Sequence, residues 1–520
     1  MPLTGPPLTQ PIQLPELLHR GLEAGPDAPA LVSAESRRSW RELDQASTNL
    51  AANLLSLGLR AGDRVASLMP NRTALVVHYL ACLKAGLVAT PLNYRYMPPE
   101  IDHALEVSGA SLLLAHAERD PDIAASRLAP RLPFGVIGYA ASDGRSPSFE
   151  ELTRRTPPEL VLEIPRANAP AAIFFTSGST GPAKGVTHSC ATLGWMIAST
   201  GRAFEFTPAD VVLPGSSLSH IGGFLFSFAA LAAGARVVVA RTFDPDEVLP
   251  LLREDRPTVL CMLPAALFSV VRDHGARRGD FSSLRLCRSG SDKVPIELER
   301  EFTDLTGLAI DEGYGCTETG LATLNPPSGI IKLGSIGRPI PGFTLSIRSE
   351  DGAELPPDSE GRLWIKSRSN MVGYWNRPDA TEEVIKDGWL DSGDLMKADG
   401  DGYLWFCGRK KQIIVHDGSN ICPQEVEGAL LEHEAVASAG AVGIHDLVHG
   451  ENVRAYITLK PGARRPTVQE LIRFARARIG YKAPEQIVVL DEMPLNPTGK
   501  VDRVTLKRMA EENISGRAPG

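Results

Sequence analysis

Between Thr176 and Gly185 the chain reads Thr-Ser-Gly-Ser-Thr-Gly-Pro-Ala-Lys-Gly, directly after the apolar run Ala171–Phe175. A strand feeding a loop of glycine, serine and threonine brings backbone N–H groups close to phosphate oxygens. Around Gly178, the hydroxyls of Thr176, Ser177, Ser179 and Thr180 add donors, and Lys184 adds a compact cation. The loop is not of the Walker A kind, which needs Gly-Lys-Ser/Thr where Ala183, Lys184 and Gly185 stand. Taken by itself, the string also suits a flexible turn.

Four further strings follow in order: Tyr314-Gly-Cys-Thr-Glu-Thr319, Asp391-Ser-Gly-Asp394, Gly408-Arg409 and Asn496-Pro-Thr-Gly-Lys500. With the phosphate loop they resemble the signature motifs of the adenylate-forming superfamily, which holds acyl-CoA synthetases, luciferases and peptide-synthetase adenylation domains. The pattern is that of the acyl-CoA synthetases. Any one string arises by chance; five in the right order, from Thr176 to Lys500, carry the resemblance together.

The resemblance implies an enzyme that joins a carboxylic acid to coenzyme A through an acyl-AMP intermediate, using ATP and Mg2+. Its first step brings a carboxylate onto the α-phosphorus of ATP, an anion toward a polyanion. Two unit charges ~4 Å apart repel by about 4 kcal/mol at an effective dielectric of ~20, so cations and aligned donors are needed there. Lys500 matches the cation that bridges acid and α-phosphate. Glu318 matches the Mg2+ ligand, and Thr317 a donor to the α-phosphate. Asp394 and Arg409 match the ribose contacts. Glu312, Gly313 and Tyr314 belong to the nucleotide loop, and Ser289-Gly290-Ser291, after the strand Leu284–Cys287, fits the adenine-binding strand end. Without the resemblance, Lys500 reads as a solvated lysine, and Asp394 and Arg409 as turn residues.

In this superfamily a small C-terminal domain works twice, turning about a hinge between adenylation and thioester formation. Lys411 matches the hinge position. Gly418 matches the glycine lining the pantetheine tunnel, with Ser419 beside it; only glycine lets a backbone pass that close to a ligand. Four residues at three places depart from the pattern: Asp292-Lys293 follow the adenine-loop serine where small or apolar residues are usual, Glu312 replaces a neutral polar residue, and Gln412 replaces an acidic one. A charged pair beside adenine would weaken ATP binding, or Lys293 would pair with a polar group of the acid. The acyl pocket is expected near His220, Gly222, Gly223 and Phe224, with His220 either catalytic or a core histidine. No aspartate stands there to hold an α-amino group, which disfavours an amino acid and leaves a hydrophobic or aromatic acid. Competing readings are thioesterification of a preformed acyl-adenylate, transfer to a carrier-protein thiol, and a non-catalytic binder. Keeping Lys184, Glu318, Asp394, Arg409 and Lys500 together argues against the last.

The elements that must position these residues alternate strand and helix. Arg64–Met69 reads as a strand, Ala74–Ala85 as a helix stopped by Gly86, and Leu87–Pro91 as the next strand; Arg236–Ala240, Asp246–Glu254 and Thr258–Leu263 repeat the unit. The fold class is therefore α/β: a large N-terminal part, 1–408, with parallel sheets covered by helices, and a small mobile α+β domain, 409–520, with its hinge at 409–412. At 520 residues the chain exceeds a single core. A net charge of −8 gives no basic footprint for nucleic acid. The N-terminus lacks a signal-peptide pattern and no apolar run is long enough to span a membrane, which points to the cytoplasm. The seven cysteines form no CxxC pair, as in a reducing compartment. His445 and His449 stand four apart without a recognisable third ligand and read as a polar surface turn.

Overall fold

The computed structural model describes residues 2–141, 147–157, 161–176, 183–242, 244–272, 275–290, 294, 296–409, 414–421, 423–494 and 501–515. Four sheets organise them. The first holds the expected βαβ unit. Strands Arg64–Leu68 and Val88–Pro91 lie parallel, joined by the helix Thr73–Ala85, which is apolar on nearly every side and buried. That helix ends at Gly86, whose φ of +66° a β-carbon would strain. Leu112–His116, Val136–Tyr139 and Pro170–Thr176 extend the parallel set, and Lys184–Ser189 and Gly373–Tyr374 close one edge antiparallel.

A nine-stranded sheet stands beside it. Its parallel centre runs Ile310–Cys316, Leu286–Gly290, Val259–Met262, Val211–Gly215, Arg236–Val238 and Pro29–Val32. Both sheets contribute to one apolar core together with the helices Cys190–Ala203 and Ile221–Ala232. Parallel strands must be buried on both faces, and this core is how these two achieve it.

The third sheet is wholly antiparallel, a feature beyond the sequence expectation of parallel sheets. It contains Phe343–Arg348, Gly361–Ser367, Trp389–Ala398 and Leu404–Arg409, with short strands at its margins. Its hairpins use the Gly- and Asp-rich turns of the sequence. Asp387 and Gly388 both take positive φ, +52° and +76°, the pairing that matches a two-residue hairpin to the twist of its strands.

The fourth sheet spans Ile414–Val489 and has Val436–Asp446 and Gly450–Leu459 as its long hairpin. Helices Pro423–Leu431 and Val468–Ile479 pack on it over an apolar cluster that includes Val426, Leu430, Val453 and Leu471. The cysteines described, from Cys82 to Cys407, are free thiols. Among the described residues no helix is long and apolar enough to cross a membrane.

Candidate active site

The C-terminal ends of the parallel strands open onto a cavity of about 1400 Å³, the usual position for a ligand in open α/β sheets. One end of it is built on a hairpin neck. Thr176 closes one strand and Lys184 opens the next, and the two are register partners. Ser177, Gly178, Ser179 and Thr180 lie outside the described residues. The Lys184 ammonium sits 4.3 Å from the centre of the Tyr374 ring, and the Tyr374 hydroxyl donates to Glu318 Oε1 at 2.9 Å. Burial and the Glu318 charge push the Tyr374 phenol well above its ordinary range, so it stays a donor. His188 Nε2 donates to the Thr317 carbonyl at 2.8 Å and pins the turn that carries Thr317 and Glu318. Burial presses His188 down to about 4, leaving it neutral near pH 7.

Where Asp394 lines the cavity, Tyr314 donates to its Oδ2 at 2.6 Å. The backbone around Asp394 is fixed by Ser392 Oγ, which accepts from Asp394 N at 3.2 Å, and by Asp391, which accepts from Gly393 N and pairs with Arg362 at 2.6 Å. Asp394 and Arg409 are partners in the antiparallel ladder, which brings the two expected ribose contacts to adjacent strands. The Arg409 side chain lies outside the described ones. Glu312 and Gly313 line the cavity, and Glu312 accepts from Val294 N at 3.3 Å. Ser289 departs from expectation: it is fully buried and its hydroxyl is spent on the Met262 carbonyl at 2.8 Å, holding neighbouring strands together. Gly290 faces the Arg288 guanidinium, 2.7 Å from where a β-carbon would stand. Ser291, Asp292 and Lys293 lie outside the described residues.

Of the residues expected at an acyl pocket, two lie elsewhere. His220 and Gly222 line the cavity. Gly223 instead packs against the Ser217 backbone, 2.3 Å from a would-be β-carbon. Phe224 lies in an aromatic cluster with Phe228, Tyr79 and Phe174, at 4.2, 5.1 and 5.4 Å between ring centres. The reason is helical geometry: Gly222 and Phe226 are four apart and share a face, whereas Phe224 points away from it. Leu225 and Phe226 form the cavity wall with Met262, Leu321 and Ile336. Asn93 Nδ2 donates to the Tyr481 hydroxyl at 3.2 Å and approaches His220 Nε2 at 3.4 Å. Burial, then the charge of Arg95, brings His220 down to about 4. The ring is neutral, and with Nε2 facing the Asn93 donor its proton belongs on Nδ1.

Residues far along the chain complete the cavity. Gly418, at φ +69°, and Ser419 line it. The ideal β-carbon of Gly418 would sit 2.9 Å from both terminal carbons of Leu263. Lys482 is buried between Glu100 and Glu425, 2.8 Å from each. Burial alone would lower its pKa; the two carboxylates outweigh burial and hold the ammonium above the lysine range. The third partner for His449 that sequence spacing did not show is also here. Asp417 Oδ1 lies 2.9 Å from His449 Nδ1, and the His416 ring stacks on His449 at 5.0 Å. His445 is not part of that group. Lys411, Gln412 and Lys500 lie outside the described residues. Glu318 offers a hard carboxylate oxygen on the cavity wall, the kind of ligand that Mg2+ would share with phosphate oxygens. Tyr374, His188, Asn93, Tyr481 and the buried Arg288 escaped the sequence reading, because each meets its partner only through the fold.

Residues 18–375 match the model of the AMP-binding enzyme, and residues 425–500 that of the AMP-binding enzyme C-terminal domain. A feruloyl-CoA synthase of an Amycolatopsis species is 33% identical over 498 residues, 94% of this chain and 97% of that one. Among solved structures, the amide bond synthetase McbA of Marinactinospora thermotolerans superposes with a TM-score of 0.86 at 26% identity, over 95% of this chain and 99% of that one. A double variant of o-succinylbenzoate CoA synthetase (MenE) from Bacillus subtilis, bound to a product analogue, gives a TM-score of 0.84 at 29% identity over 96% and 98%. The chain thus belongs to the AMP-binding enzyme family, as an acid–thiol ligase that works on a carboxylic acid with ATP, Mg2+ and coenzyme A.

Proposed function

We propose that this chain is a cytoplasmic acid:CoA ligase for an acid with an apolar or aromatic skeleton, made into acyl-AMP and then into the CoA thioester. The observation that carries the reading is the shared cavity. Glu318 and Asp394 stand on its wall together with Gly418 and Ser419, so nucleotide groups and thiol-side groups face one space. Leu225, Phe226, Met262, Leu321 and Ile336 supply the apolar acyl wall.

In the first half-reaction the neck at Thr176 and Lys184 receives the phosphates, Asp394 accepts from ribose hydroxyls, and Thr317 donates to the α-phosphate. Glu318 would hold Mg2+, which neutralises phosphate charge when bound. Neutral His220, with its proton on Nδ1, can donate to the acid without adding charge. Lys500 neutralises the charge that gathers as the carboxylate oxygen bonds to phosphorus and pyrophosphate leaves. We place the domain boundary at 409–412, with Lys411 the pivot on which 409–520 turns. In the second half-reaction the thiol sulfur attacks the acyl carbon past Gly418, AMP leaves and the thiol proton is lost to water.

Lys500→Ala separates the two halves. Pyrophosphate exchange should fall by roughly 100-fold or more, the scale of removing one transition-state donor, while synthetic acyl-AMP plus CoA still yields thioester. Equal loss of both activities would make Lys500 structural and overturn the two-orientation account.

A further inference from the structure

Arg288 sits on the strand Leu286–Gly290, at the acyl end of the cavity, and no step above uses it. It is 7% exposed. A guanidinium carries five donors and cannot shed its charge at neutral pH. Here Nη2 donates to the Gly313 carbonyl at 3.1 Å, and the guanidinium carbon lies 5.2 Å from the centre of the Phe226 ring. The Nε proton has no acceptor. Among the described residues no carboxylate oxygen comes within the 4.0 Å of an ion pair with it. Asp311 is its register partner on the next strand, but burial pushes that carboxyl up to about 7, so it is a partial counter-charge at most.

Burying a cation without a partner is costly, and the cost is recovered when a ligand brings the missing charge. Leu225, Phe226, Met262 and Ile336 give the same cavity an apolar lining. Glu312 also lines it and its charge reaches Arg288, but among the described residues it forms no ion pair with the guanidinium. A purely hydrocarbon acid would fill the apolar lining and leave the guanidinium unsatisfied. We infer that the acid this enzyme activates carries a second carboxylate, remote from the reacting one, which Arg288 receives inside the acyl pocket. This rests on the ligase reading and narrows its substrate to dicarboxylic acids with an apolar or aromatic spacer. Arg288 is then the residue that sets specificity, while Phe226 and Leu225 flank the spacer.

The test uses matched acids of equal shape: terephthalate, its monoamide and 4-methylbenzoate, with glutarate and pentanoate as an aliphatic pair. CoA-thioester formation is measured for each with the full-length enzyme, alongside conversion of synthetic 4-methylbenzoyl-AMP to thioester. The dicarboxylate should exceed its neutral matches in kcat/KM by roughly 10- to 100-fold, the value of a hydrogen bond to a charged group. Arg288→Met should bring that ratio toward one, and Arg288→Lys should keep part of it; thermal unfolding checks that both variants fold. Calorimetric titration with terephthalate should show the same loss of affinity in Arg288→Met. Preference for neutral acids, or a ratio that survives Arg288→Met, overturns the inference and leaves the ligase reading standing. If no acid is activated and synthetic acyl-AMP gives no thioester, the ligase reading falls and the inference with it.

Discussion

Replacing Gly418 by leucine tests how the thiol reaches the acyl group. Gly418 has φ +69°, and an L-residue there costs ~1–2 kcal/mol. That strain lies within the backbone and is the same in any orientation of residues 409–520, so it lowers overall stability without separating the half-reactions. The contact with Leu263 does separate them. A β-carbon alone would stand 2.9 Å from both Leu263 terminal carbons, nearer than β-carbons ordinarily come, and leucine adds three further carbons. Overpacking of this kind costs ~1–3 kcal/mol, or roughly 5- to 150-fold in the population of the arrangement that places Gly418 on the cavity. CoA-dependent thioester formation from synthetic acyl-AMP should therefore fall by roughly 10- to 100-fold, while ATP–pyrophosphate exchange stays within about 2-fold. Gly418→Ala should be milder, and adding Leu263→Ala should restore part of its loss, giving a coupling of ~0.5–3 kcal/mol in a double-mutant cycle. Thioester formation at the native rate in Gly418→Leu would refute the reasoning and put the thiol entrance elsewhere.

Two further outcomes follow from buried charges. Lys482→Met leaves Glu100 and Glu425 without their cation; unfolding free energy should drop by ~3–5 kcal/mol in a denaturant titration, and an unchanged midpoint would show the pair to be dispensable. Asp311, raised by burial to about 7 from 3.8, holds its proton in the folded chain at pH values where the unfolded chain has lost it. Its contribution to stability is therefore full below pH 4 and is lost as pH rises to about 7. Asp311→Asn should remove that decline, making the variant less pH-sensitive than the native protein between pH 4 and 8 by up to roughly 4 kcal/mol; parallel stability curves would contradict the assignment.

Local signals were legible in the sequence. The strand Arg64–Leu68, the helix stopped at Gly86 and the strand before Thr176 each follow from apolar spacing and a terminating residue, which act within a few positions. The motif residues Glu318 and Asp394 do reach one cavity, as their family pattern implies. The antiparallel sheet was not legible, because its strands are separated by loops and identified only by pairing with one another. The apolar run in the helix Ile221–Ala232 does not reveal which helical face meets the cavity, so nothing local separates Phe226, on the wall, from Phe224, in the aromatic core. His188 and Thr317, or Asn93 and Tyr481, lie far apart in sequence, so no spacing rule links them. The same holds for Arg288: an arginine in a strand looks like an edge charge until the fold encloses it.

The central claim is that one chain carries both half-reactions. It is tested most directly by following AMP release from ATP and a panel of acids, including the dicarboxylates above, with and without CoA. The account predicts pyrophosphate exchange with at least one acid, little free AMP in the absence of CoA, and AMP released in step with acyl-CoA once CoA is added. Exchange with no acid, together with rapid conversion of synthetic acyl-AMP to acyl-CoA, would contradict it and leave an enzyme of the second half-reaction alone. AMP release that depends on a carrier-protein thiol or an amine, and not on CoA, would contradict the choice of acceptor.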